Sequence, residues 1–185
     1  MSSHSLLIKN LKAQEGCIPH MYLDTRGYVT VAVGQLLASA ADAQALPFLH
    51  RNNGKPASAE TIAAEYENVK KQKPALIAQS YKKHTELELA QTNIDALLES
   101  RILEFKSGLR SNLPNYDSCP VSAQEALLDM AFNLGINGLI NKFPTLVRNV
   151  KSEDWNGCAK ECKRRGISDQ RNLETQHLFE QAAKV

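Results

Sequence analysis

Between Thr92 and Leu109 the apolar residues Ile94, Leu97, Leu98, Ile102, Phe105 and Leu109 recur mostly at three- and four-residue intervals, the period of one face of an α-helix. That stripe predicts a long helix over about 92–111, opened by Thr92 with Asp95 three residues on. A rod of that length ties a smaller N-terminal part to a larger C-terminal one.

Ahead of the rod, Leu7, Ile8 and Leu11 keep helical spacing and Gly16 supplies a stop, so residues 3–15 read as a helix ending at Glu15. Met21–Leu23 and Tyr28–Val33 are rich in aromatic and β-branched residues and are separated by the turn Asp24-Thr25-Arg26-Gly27, which predicts a β-hairpin. Residues 36–46 and 58–72 are alanine-rich with helical patterning, and Leu46–Ser58 between them, dense in Pro, Asn and Gly, reads as a surface loop. After the rod, Ser122 and Glu125 form a capping-box pattern ahead of the strongly apolar stretch that closes at Gly135, the expected core of the C-terminal part. Shorter helices are expected from about Phe143, from Ser152 as N-cap through Cys162, and from Ser168 to the C-terminus, with Gly166 breaking the last two. The fold class is α+β, mostly helical: a small N-terminal hairpin lobe and a C-terminal helical lobe joined by the long helix.

Composition narrows the function classes. With 185 residues the chain can build a core without disulfides or a metal. A net charge of +2 and a pI of about 8.3 are too small a bias to argue for nucleic acid. No run approaches the ~20 apolar residues of a membrane span, and no basic-then-apolar leader follows Met1, so no membrane insertion and no signal peptide are expected. Cys17, Cys119, Cys158 and Cys162 include no Cys-x-x-Cys knuckle, which argues against a structural zinc. They read as small buried hydrophobes, with pairing in an oxidising compartment as the other reading. No His-Glu-x-x-His and no Ser/His/Asp grouping stands out.

Glu15, eight residues, Asp24, five residues, Thr30 is the one constellation with chemistry in it. A tight hairpin beside the first helix would let the two carboxylates and the hydroxyl converge. Two carboxylates flanking a cleft are what glycoside hydrolysis needs, one protonated to donate to the leaving oxygen and one ionised to activate water or attack the sugar. Spacing alone also fits a helix end followed by an Asp that stabilises its own turn.

The same residues, embedded in Glu15-Gly16, Tyr22-x-Asp24-x-x-Gly27-x-x-Thr30-x-x-x-Gly34-x-x-Leu37, resemble the phage-type lysozymes, the endolysins of glycoside hydrolase family 24. Residues 126–150, from Ala126 through Phe132, Asn133 and Thr145 to Val150, and 164–179, bearing Arg171, resemble that family's second block and final arginine-bearing helix in the same order. The resemblance covers most of the chain and implies a single lysozyme-like domain over 1–185. Its N-terminal lobe is expected at about 13–90 and its helical lobe at about 112–185, with helix 3–15 packing at the junction.

It also implies a muramidase acting on peptidoglycan, with Glu15 as general acid, Asp24 as base or nucleophile and Thr30 positioning Asp24 or the water. Inversion is the implied outcome. Leu36, Phe132, Asn133 and Thr145 match saccharide-lining positions, and Arg171 would meet glycan carboxylates, whereas Arg164 and Arg165 read as a solvated helix face. No cofactor and no metal are required. A monomer is expected, made in the cytoplasm and acting in the periplasm or cell wall, with an immunity or delivery protein as an open partner.

Ala32-Val33-Gly34-Gln35 departs from the family's Gly-Ile-Gly-His, and residues 37–88 exceed the compact members. An endolysin role competes with that of a secreted antibacterial effector. A catalytically silent glycan-binding module is the alternative class, and a nucleic-acid binder using Lys160–Arg171 is a third, one whose binding salt would weaken steeply.

Overall fold

The computed structural model describes Leu11 and residues 16–185. Helix 3–15 and Glu15 therefore lie outside the described residues, apart from Leu11, which is helical and buried. The chain divides into two compact units, one within Ile8–Ser100 and one including Arg101–Val185.

In the first unit, β1 (Ile18–Leu23), β2 (Val29–Ala32) and β3 (Gln35–Leu36) form an antiparallel sheet in that order. Alternation along β1 and β2 buries Met21, Leu23, Val29 and Val31 on one face. The register pairs Tyr22 with Thr30 and Leu23 with Val29, and Thr30 pairs in turn with Leu36. Gly27 closes the turn at φ 81, a conformation that costs a side chain but not glycine.

Helix α1 (Ala40–Gln44) opens on a complete capping box from Ser39 and Asp42, and α2 (Ala59–Lys70) on Ser58, whose hydroxyl accepts from the Thr61 N–H. A 3-10 helix spans Ala78–His84. The expected loop at 46–58 is corrected in part: β4 (Phe48–His50) pairs antiparallel with β5 (Leu87–Leu89). Three residues carry too little alternation to announce a strand when the partner is this distant. The ribbon is held to α2 by Glu65, whose carboxylate accepts from the backbone N–H of Glu86 and, at 3.1 Å, of Leu87.

Helix α3 (Gln91–Asn112) begins in the first unit and ends in the second. The second unit continues with a 3-10 turn (Tyr116–Ser118), α4 (Val121–Lys142), α5 (Pro144–Lys151), α6 (Trp155–Glu161) and α7 (Asp169–Ala182). Every residue from Ala126 to Ala131 is buried, and α7 packs on both α4 and α6.

Two caps differ from expectation. Helix α4 starts a residue before Ser122, with Pro120 as N-cap and no side-chain cap bond, so no capping box forms. Ser152 closes α5 by donating to the Arg148 and Asn149 carbonyls, and Asp154 caps α6 through the Gly157 N–H at 2.8 Å. Gly135, expected to stop the helix, sits at φ 70, ψ 161 and breaks α4, which resumes beyond it.

Candidate active site

The Asp24 turn is built from its own backbone. Asp24 Oδ1 accepts from the Arg26 N–H and the Tyr28 N–H, both at 2.8 Å. The Tyr28 carbonyl accepts from the Asp24 N–H at 3.0 Å and from Thr30 Oγ1 at 3.0 Å. One residue's backbone, that of Tyr28, thus fixes both the aspartate and the threonine. Asp24 Oδ2 takes no protein hydrogen bond among the described residues, so one carboxylate oxygen is anchored and the other is available.

Thr30 is only 4% exposed and its donated proton is spoken for, which leaves its oxygen lone pairs as acceptors. Leu36, its cross-strand neighbour, is 46% exposed. The departure at Ala32 is visible in the backbone: Ala32 is buried at φ 56, a conformation costing an L-residue about 1–2 kcal/mol.

In the second unit Phe132 and Asn133 come directly after the buried run of α4 and are half-buried, and Thr145 lies in the first turn of α5. The Phe132 ring meets Phe105 of α3, centroids 4.7 Å apart and tilted at 46°, a geometry that aromatic quadrupoles favour.

Arg164 is a correction, and Arg171 shares its carboxylate partner. Arg164, expected on a solvated face, is 2% exposed and donates to Asp129 Oδ2 at 2.6 Å and to Thr175 Oγ1 at 2.6 Å. Arg171, expected to meet glycan carboxylates, is buried, with Nε and Nη2 on Asp129 Oδ1 at 2.9 and 2.8 Å. Asn172 clasps the Arg164 backbone through both its amide groups. Charged groups reach the interior only when paired and hydrogen-bonded, and Asp129 is the acid that sequence reasoning missed. Its signal was a lone carboxylate inside the apolar run Ala126–Ala131.

Cys119, Cys158 and Cys162 are buried thiols. Burial pushes Cys119 up to about 11 and Cys158 to about 12, away from thiolate chemistry. No cluster of metal-binding side chains occurs among the described residues, and no described helix is long and apolar enough to cross a membrane.

A mostly helical α+β chain, with a small antiparallel sheet that carries an aspartate on its turn and a buried threonine on the returning strand, has a lysozyme-like fold. The family model described as Phage lysozyme matches residues 12–176, and the chain belongs to that family, whose members are glycoside hydrolases of peptidoglycan. No curated protein matches it.

Proposed function

We propose that this chain is a muramidase that hydrolyses the β-1,4 bond between N-acetylmuramic acid and N-acetylglucosamine. Glu15 is the general acid, Asp24 the base that activates water, and Thr30 the hydroxyl that positions Asp24 or that water. The observation that carries the reading is the Tyr28 backbone, which anchors Asp24 by one oxygen and Thr30 by its proton. Such anchoring holds an ionised carboxylate and an acceptor oxygen in fixed register before substrate arrives, the preorganisation that acid/base catalysis exploits. Leu36, Phe132, Asn133 and Thr145 are the proposed saccharide contacts. Arg171 is left out of that set because its guanidinium is held by Asp129. The biological setting we favour is bacterial wall lysis by an endolysin.

Digestion of purified peptidoglycan by wild type and by Glu15→Gln, with mass analysis of the fragments, tests the assignment. Wild type is expected to release muropeptides ending in reducing N-acetylmuramic acid, and Glu15→Gln to lose about a hundredfold or more in rate. An inverted anomer in the first product would accord with carboxyl groups about 6.5–9.5 Å apart. If both proteins bind sacculi and neither cuts them, a silent glycan-binding module replaces the enzyme.

A further inference from the structure

Tyr81 is fully buried in the first unit and shapes the exposed chain around it. Its hydroxyl donates to the Lys73 carbonyl at 2.7 Å and accepts, at 3.4 Å, from the Leu76 N–H. Between them Ala75 sits at φ 60, a left-handed conformation that a non-glycine residue keeps only when its surroundings hold it there. Leu76 and Ile77 stand on this braced backbone, 43% and 76% exposed, and nowhere else among the described residues are two large apolar chain neighbours both exposed.

The 3-10 helix Ala78–His84 sets lysines beyond that pair. At three residues per turn, side chains three apart line up. Ala78, Tyr81 and His84 form the inward row, whereas Gln79, Lys82 and Lys83 are exposed. Ile77, the residue before the helix, heads the row of Ser80 and Lys83, about 12 Å long at a rise of about 2.0 Å per residue. Lys70, Lys71 and Lys73 are exposed on the other arm, and no acidic residue occurs from Lys70 to His84. Glu67 and Glu86, the nearest acids along the chain, are each nine residues from the aliphatic pair. The Asp24 turn adjoins the loop, where a Cβ on Gly27 would stand 3.6 Å from Pro74 Cβ, and its Arg26 and Asp24 leave the local charge balance as it was.

A dissolved acidic polymer would engage the lysines and leave Leu76 and Ile77 in water, and an uncharged apolar partner would leave the lysines unused. The surface of an anionic bilayer accommodates both, since aliphatic side chains enter the acyl boundary while lysines stay among the headgroups. We infer that the segment Lys70–His84 docks the chain peripherally on anionic phospholipid membranes. Leu76 and Ile77 dip below the headgroups, the five lysines hold the lipid phosphates, and nothing spans the bilayer. The inference goes beyond the muramidase reading and stands on the surface of the first unit, whether or not the chain cuts glycan.

Sedimentation with phosphatidylglycerol or phosphatidylcholine vesicles, in low and high salt, tests it. The substituted side chains are exposed, so an unchanged Tm is expected for each variant and is checked first. Wild type should pellet with phosphatidylglycerol, at least about tenfold less with phosphatidylcholine, and less as salt rises. Ile77→Ser should lower the partition coefficient about tenfold. The double variant Lys82→Gln, Lys83→Gln should lower it about twentyfold, at about fivefold per lysine. The double variant Lys160→Gln, Lys163→Gln, an equal charge change at exposed positions of the second unit, should stay within about threefold of wild type. Absence of wild type from the phosphatidylglycerol pellet overturns the proposal. So do equal losses in the two lysine pairs, since net charge is then the cause. Binding that Ile77→Ser leaves unchanged also overturns it, because the loop is then a contact for dissolved polyanions.

Discussion

Asp129 shows how much one side chain can carry. It is the acid between two buried arginines, with Thr175 Oγ1 also donating to Oδ2 at 3.0 Å. Asp129→Ala would remove the carboxylate that both buried guanidinium groups share, and we expect a loss of about 3–5 kcal/mol, read as a lower midpoint in urea with an unchanged slope. The arginines are legible in the sequence as charges and illegible as partners. Helical periodicity places a residue on a face of its own helix, whereas the carboxylate that draws Arg164 inward lies 35 residues earlier in the chain. Ala32 is the opposite case, since an alanine in place of a family glycine foretells a strained position and the backbone holds it at φ 56.

At the scale of elements, signals contained within a few residues are readable. Ser168 caps α7 as expected, accepting from the Arg171 N–H at 3.2 Å, and the turn between β1 and β2 falls at Asp24–Gly27. Non-local signals are not: β4 needs β5 before it is a strand. Gly135 has the sequence context of a terminator, yet its φ of 70 with ψ of 161 belongs to a region that glycine alone occupies freely. Among the described residues, no heavy atom other than its chain neighbours and its own helix's adjacent backbone lies within 4 Å of where its Cβ would stand, so Gly135→Ala reads chiefly backbone strain. That substitution should cost about 1–3 kcal/mol, seen as a drop in Tm that no enlargement of a neighbouring cavity would restore.

For the whole molecule, fold class is legible because the long stripe of α3, the hairpin and the apolar run of α4 are each strong patterns that agree with one another. The ribbon and helices of residues 37–88 have only weak patterns, and buried polar groups hold them. Two of those groups give stability an acid dependence of opposite signs. Burial, the largest influence, lowers the His20 imidazole below its ordinary 6.5 as its Nε2 lies 3.0 Å from the Ala78 carbonyl. Its contribution is therefore complete above 6.5 and is lost as pH falls through the lower folded value. Burial, against the pull of two backbone N–H groups, raises Glu65 above 4.5. Its contribution is complete below 4.5 and lost as pH rises through the folded value. The two dependences oppose each other, so His20→Gln should weaken any fall of the denaturation midpoint toward acid between about pH 4.5 and 6.5, and Glu65→Gln should deepen it.

The bonds from Asp24 to the Arg26 and Tyr28 N–H groups give that aspartate two jobs, one in shaping the chain and one in the proposed reaction. A descendant that stopped cutting would still be pressed to keep it, because the bend between β1 and β2 would suffer without it. Inheritance of this acid alone is therefore a poor marker of a working enzyme among related chains, and the proposed general acid, Glu15, is the position to consult when sorting active copies from retired ones.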